Sequence, residues 1–98
     1  MPALDPLIHA PARLQLCAML ASVDDAQFSL LRDRLAVSDS VLSKHVAALV
    51  DAGYVRARKA LFDGRRTTWV SLTPAGRKAY ADHVAALRAV IDGASVGH

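Results

Sequence analysis

The side chains best suited to a chemical task in this chain are cations and small hydroxyls, and they are grouped. Arg56, Arg58, Lys59, Arg65 and Arg66 put five positive charges into eleven positions, against one negative charge, Asp63. That density suits the phosphate backbone of double-stranded DNA. A solvated hairpin edge, guarded by charge against aggregation, is the plainer reading. Just upstream stand Ser38, Ser40, Ser43 and Lys44. Short hydroxyls let a helix approach base edges, while Lys44 reaches a guanine edge or, better matched to a flexible point charge, a phosphate. Val41 offers a methyl surface for a thymine methyl, or else is a partly buried turn residue. Ser38 has two readings, a helix N-cap and a phosphate contact, of which the cap is favoured. Asp39 suits the positive end of a helix dipole and otherwise faces an anionic partner awkwardly.

Other chemistries find little support. There is no glycine-rich phosphate loop, no pair of carboxylates at a strand end and no nucleophile with a base and an orienter, so no enzyme is expected. All nine acidic residues are aspartates spread along helices and turns. Cys17 stands alone, without the second thiolate of a CxC site, and His83 after Asp82 lacks a second ligand pair at a useful spacing. No metal site and no cofactor are expected. Cys17 reads as a small buried hydrophobe, with a redox switch as the alternative. His45 reads as a half-buried, satisfied histidine.

The elements that must position these groups follow from periodicity. Leu42, Val46 and Leu49 recur at helical spacing, leaving Ser40, Val41, Ser43, Lys44 and Ala47 on the other side. Ser38 caps this helix and Gly53 supplies its C-terminal stop. A preceding helix over about 30–36 is predicted, with Ser29 as its N-cap and Leu31 and Leu35 as its buried face. The two make a helix-turn-helix over about 29–52. Val55 and Ala57 alternate with Arg56 and Arg58, Phe62-Asp63-Gly64-Arg65 reads as a hairpin turn, and Thr67 to Leu72 is rich in strand formers. This gives a basic hairpin over about 54–72, with Trp69 packed beneath it. Ala26 to Phe28 forms a further short strand. Pro11 opens a first helix that ends near Ser22. Thr73-Pro74 opens a last helix over about 74–91, with Gly93 to His98 as a frayed tail. On it Tyr80, Val84, Leu87 and Ile91 make a narrow pairing seam, to which Leu14 of the first helix adds.

The 98 residues make one domain over 1–98, of α+β class and mainly α. The core is thin for the 53% hydrophobic content, so a homodimer is expected. No apolar run reaches the roughly 18 residues of a membrane span. The first ten residues lack a signal-peptide pattern, and the single cysteine agrees with a reducing compartment, so the chain is read as cytoplasmic.

The run LSKHVAALVDAGYV, the hairpin DGRRTTWVSLT and the closing LTPAGR together resemble winged helix-turn-helix transcriptional regulators, nearest to small MarR-like proteins with ArsR and PadR relatives behind. The resemblance covers about residues 8 to 91. It implies a winged helix with a two- to three-stranded antiparallel wing and a C-terminal dimerisation helix. It further implies a homodimer on a roughly palindromic operator, acting as a repressor. Val41, Ser43 and Lys44 would then enter the major groove, while Arg65 and Arg66 would touch the minor groove or backbone, with Arg58 further down the wing. Standard MarR proteins carry extra terminal dimerisation helices for which this chain is too short, so the effector pocket beneath those helices is not carried over. A small-molecule effector between the helices of a dimer stays an open alternative. So do a winged helix that binds proteins instead of DNA and a nonspecific duplex binder.

Overall fold

The computed structural model describes residues 4–96. In chain order these form α1 (Pro6–His9), α2 (Pro11–Ala21), β1 (Ala26–Gln27), α3 (Phe28–Leu35), α4 (Asp39–Asp51), β2 (Val55–Phe62), β3 (Arg65–Leu72) and α5 (Pro74–Val96). The sheet is antiparallel in the order β1-β3-β2, so the wing is three-stranded at its base and two-stranded at its tip.

Local chemistry explains most boundaries. Ser38 Oγ accepts the Val41 N–H at 3.2 Å and caps α4. At the other end Gly53 takes φ +79°, the Tyr54 N–H reaches Leu49 O and the Gly53 N–H reaches Val50 O. That paired closure satisfies carbonyls the helix would leave open. Asp63 and Gly64 both take positive φ, 50° and 73°. This is the two-residue turn whose twist matches paired strands, and it fixes the register Phe62↔Arg65. Between α3 and α4 the chain turns through Ala36 in the left-handed region, φ 55°.

The core is drawn from every layer. Leu16, Cys17 and Leu20 of α2 meet Leu31 of α3, Leu42, Val46 and Leu49 of α4, and Val55, Val70 and Leu72 of the sheet. Burial pushes the Cys17 thiol up to about 11, so at neutral pH it is an un-ionised apolar side chain, as the sequence suggested.

Three expectations are corrected. α3 begins at Phe28, not after Ser29, because Gln27 must stay extended to pair with Trp69 and itself becomes the cap residue. Phe28 is therefore helical and not part of the strand. α5 continues through Gly93 to Val96, since one glycine weakens a helix by only about 1 kcal/mol without breaking it. Gly97 and His98, the rest of the expected tail, lie outside the described residues.

α5 carries two adjacent stripes. Gly76, His83 and Ala86 are buried against the rest of the chain. Tyr80, Val84 and Leu87 are half-buried beside them, and Ile91 and its neighbour Val90 are 61% and 60% exposed. Leu14 and Tyr80 pack against the chain's own core.

The fully buried His83 holds the N-terminal segment in place. Its Nδ1 accepts the Asp5 N–H at 2.9 Å, so the ring proton sits on Nε2, which faces His9 Nδ1 at 3.3 Å. Asp5 also caps α1 through the Leu7 N–H and accepts the Tyr54 hydroxyl at 2.9 Å. Burial, then His9, lowers the His83 pKa below its ordinary 6.5, against a smaller opposing pull from Asp5. Burial, then Arg13, lowers that of His45, the half-buried histidine the sequence suggested. A histidine held neutral by folding stabilises fully above its unfolded value and progressively less as pH falls below it. Thermal unfolding midpoints should therefore drop between pH 7.5 and 5.5, and His83→Asn, which does not titrate, should flatten that decline while leaving the share of His45. An unaltered pH profile in the variant would remove His83 from this role.

Candidate nucleic-acid interface

α4 is phased by its buried stripe. With Leu42, Val46 and Leu49 turned inward, Ser40, Val41, Ser43, Lys44, Ala47, Val50 and Asp51 face outward. Val41 lies in the first turn of α4 and is 40% exposed, which leaves methyl surface available. Ser38 is engaged as the cap, with its Oγ also 3.2 Å from that of Ser40.

The hairpin stands beside this helix. Ala57 and Thr68 line one cleft with Ser43, Val46, Ala47 and Val50. The sheet face that carries them is the face that buries Val55, Val70 and Leu72 at its base. Strand alternation then puts Lys59, Leu61 and Arg66 on that same helix-facing side, and Arg56, Arg58, Phe62 and Arg65 on the other. A second groove runs between the tip and α3, lined by Ser29, Arg32, Arg65, Arg66 and Thr67.

The cations differ in what they already hold. Arg58 ion-pairs with Asp25 at 3.1 Å and lies 6.0 Å from the Trp69 ring centre, so it braces the wing's base. Trp69 is half-buried, packed edge-on by Phe62 with centroids 5.8 Å apart, in line with the packing role expected for it. Arg65, Arg66 and Lys44 make no ion pair among the described residues. Arg32, which the sequence did not single out, bonds Asp33 at 3.0 Å and Asp39 at 2.9 Å. It holds Asp39, the one acidic residue in the first turn of α4, in an ion pair that it shares with Asp33. Nothing in the sequence around Arg32 marks that role, since its partner lies across the helix-turn-helix turn.

Among the described residues, no helix is long and apolar enough to cross a membrane, and no group of metal-ligating side chains is present.

Comparison with known proteins agrees with this geometry. The family described as winged helix DNA-binding domain matches residues 12–91. A transcriptional regulator homologue from Pyrococcus horikoshii OT3 superposes with a TM-score of 0.86 at 29% identity, over 92% of this chain and 89% of that one. HlyU from Vibrio cholerae N16961 superposes with a TM-score of 0.63 at 26% identity, over 76% of this chain and 77% of its own. An uncharacterised protein of Methanocaldococcus jannaschii is 26% identical over 78 residues, 80% of this chain and 85% of that protein. The match spans nearly the whole helix-turn-helix, wing and closing helix, and the chain belongs to the winged helix DNA-binding domain family as a transcriptional regulator, not an enzyme.

Proposed function

We propose that this regulator reads a specific duplex sequence as a homodimer on a roughly palindromic operator, and that it represses by occupying it. The observation that carries this reading is the shared side of α4 and the wing: Ser43 and Ala47 line one cleft with Ala57 and Thr68. Ser40, Val41, Ser43 and Lys44 would meet base edges and phosphates in the major groove, with Ser38 held back as the cap. Arg65 and Arg66 would reach the neighbouring minor groove and backbone. Arg58 would add a phosphate contact only if it released Asp25.

Pairing would use Val84, Leu87 and Ile91, on the α5 stripe beside the one that packs on the chain's own core, together with the side of Tyr80 that the core leaves open. Leu14, already turned into that core, would contribute at its margin. A two-fold dimer presents its reading helices to half-sites about 34 Å, one helical turn, apart. A regulator of this kind works in the compartment that holds the chromosome, here read as the cytoplasm.

Selection from a pool of randomised duplexes tests the reading. The expected product is an inverted repeat, retarded in gel mobility, bound by a species with the mass of two chains. Enrichment of no sequence, or equal affinity for every duplex, would leave the nonspecific binder standing. Retention of a protein but of no duplex would favour the interaction module.

A further inference from the structure

The wing tip carries an apolar side chain that the fold does not use. Leu61 is 76% exposed, the most exposed large hydrophobic residue among those described. Its neighbour Phe62 points to the opposite face and packs on Trp69. Leu61 lies on the helix-facing side, directly across from Arg66 and two residues beyond Lys59. Four strand residues beyond Ala57, at about 3.4 Å each, set it roughly 14 Å further out than the cleft beside α4. Successive grooves of a duplex lie about half of a 34 Å turn apart, roughly 17 Å. An element flanking a helix in the major groove and extending that far arrives at the adjacent minor groove.

We propose, resting on the reading that this face binds duplex DNA, that Leu61 is a specificity-determining wedge that enters that minor groove and selects A·T pairs there. Arg66 and Lys59 on the same face supply cations for the phosphate strands on either side of the groove. The floor itself then meets methyl groups. An A·T pair presents only acceptors in the minor groove, whereas guanine adds an amino donor. That amino group would be pressed against leucine with no partner, and a buried donor left unpaired is unfavourable. Apolar side chains inserted this way part the base stack and bend the duplex. The exposure of Leu61 in the free protein is then relieved in the complex.

The test uses the full chain and the duplex that the unsubstituted protein enriches from a randomised pool. Because Leu61 is exposed, Leu61→Ala should leave the unfolding midpoint unchanged. It should weaken binding about tenfold for each protomer that inserts its wing, the loss expected for a leucine side chain buried in the complex. The salt dependence should not move, since no cation is removed. The A·T preference at the wing contact should fall to the part that a minor-groove arginine alone supplies. Replacing A·T there by inosine·C, which lacks the guanine amino group, should preserve wild-type binding, while G·C should weaken it. Leu61→Ala binding with wild-type affinity and preference would overturn the wedge, as would inosine·C behaving like G·C. A changed solution mass for Leu61→Ala would also overturn it, by showing that Leu61 joins protein to protein. Failure of the unsubstituted chain to enrich any duplex would instead sink the reading beneath the proposal, and the wedge with it.

Discussion

Replacing Arg65 and Arg66 together by alanine is expected to weaken binding of the selected duplex by roughly 1,000-fold or more, at about 1–3 kcal/mol for each of the arginine contacts that both protomers of a dimer lose. Both side chains are exposed, and neither makes an ion pair among the described residues. The turn they flank is set by the positive φ of Asp63 and Gly64, so the hairpin and the unfolding midpoint should survive the change. What is lost is charge aimed at the duplex. Each phosphate contact removed lowers the log–log salt slope by about 0.9, so a dimer losing one such contact per protomer should show a slope shallower by about 2. The single variants separate the two roles. Arg66 lies on the helix-facing side of the hairpin and Arg65 on the other. An arginine in a narrow minor groove is drawn by the local potential, so its loss should relax the preference for A·T tracts. The arginine on phosphate should weaken all sequences alike. Titrations between about 50 and 200 mM salt decide the matter, because counterion release is steep in that range. Unchanged affinity and slope in the double variant would take the wing tip out of the mechanism.

The parts of this site that were legible in the sequence are those fixed by local chemistry. The phase of Leu42, Val46 and Leu49 determines which α4 side chains face outward, and no distant contact overrides it. Ser38, Gly53 and Asp63-Gly64 are boundary residues whose effect is exerted within a few positions, and each acts as its type predicts. Distant contacts were the illegible part. Gln27 is extended because Trp69 pairs with it, which no window around Gln27 reveals. Arg58 looks like any other wing cation until Asp25, on the loop before β1, is found beside it. Asp5, Tyr54 and His83 come from three remote segments and make one hydrogen-bonded set that no local pattern marks. Alternation could assign a face to Leu61, but not how far the hairpin outruns the core that buries Val55 and Val70.

Gly76→Ala is expected to destabilise the protein by on the order of 3 kcal/mol, lowering the unfolding midpoint by roughly 15 °C in a domain of this size. Helix propensity taken alone predicts the opposite sign, since alanine is favoured over glycine by about 1 kcal/mol within a helix. Packing decides against it. Gly76 lies in the first turn of α5, where its N–H bonds Thr73 Oγ1 at 3.0 Å. Thr73 also donates its backbone N–H to Tyr54 O at 3.0 Å and its hydroxyl to Gly53 O at 2.6 Å. These bonds draw the start of α5 onto the exit of α4. A Cβ on residue 76 would collide with Tyr54 O and lie 2.7 Å from the Tyr54 carbonyl carbon. Backbone cannot swing aside as a side chain would. Tyr54 is held by its N–H to Leu49 O, by its hydroxyl to Asp5 and by the β2 strand that starts at Val55. Relief must therefore come from lifting α5 away or from opening the closure of α4, and either change disturbs the angle between the reading helix and the wing. Gly93→Ala is the matched control. Nothing lies within 4 Å of its added Cβ, so there propensity acts unopposed and a gain of up to about 1 kcal/mol is expected. Urea unfolding of both variants reads the contrast directly. If Gly76→Ala were neutral or stabilising, the α5 start would not press on the Tyr54 carbonyl, and the tie between α5 and the junction of α4 with the wing would lose its physical basis.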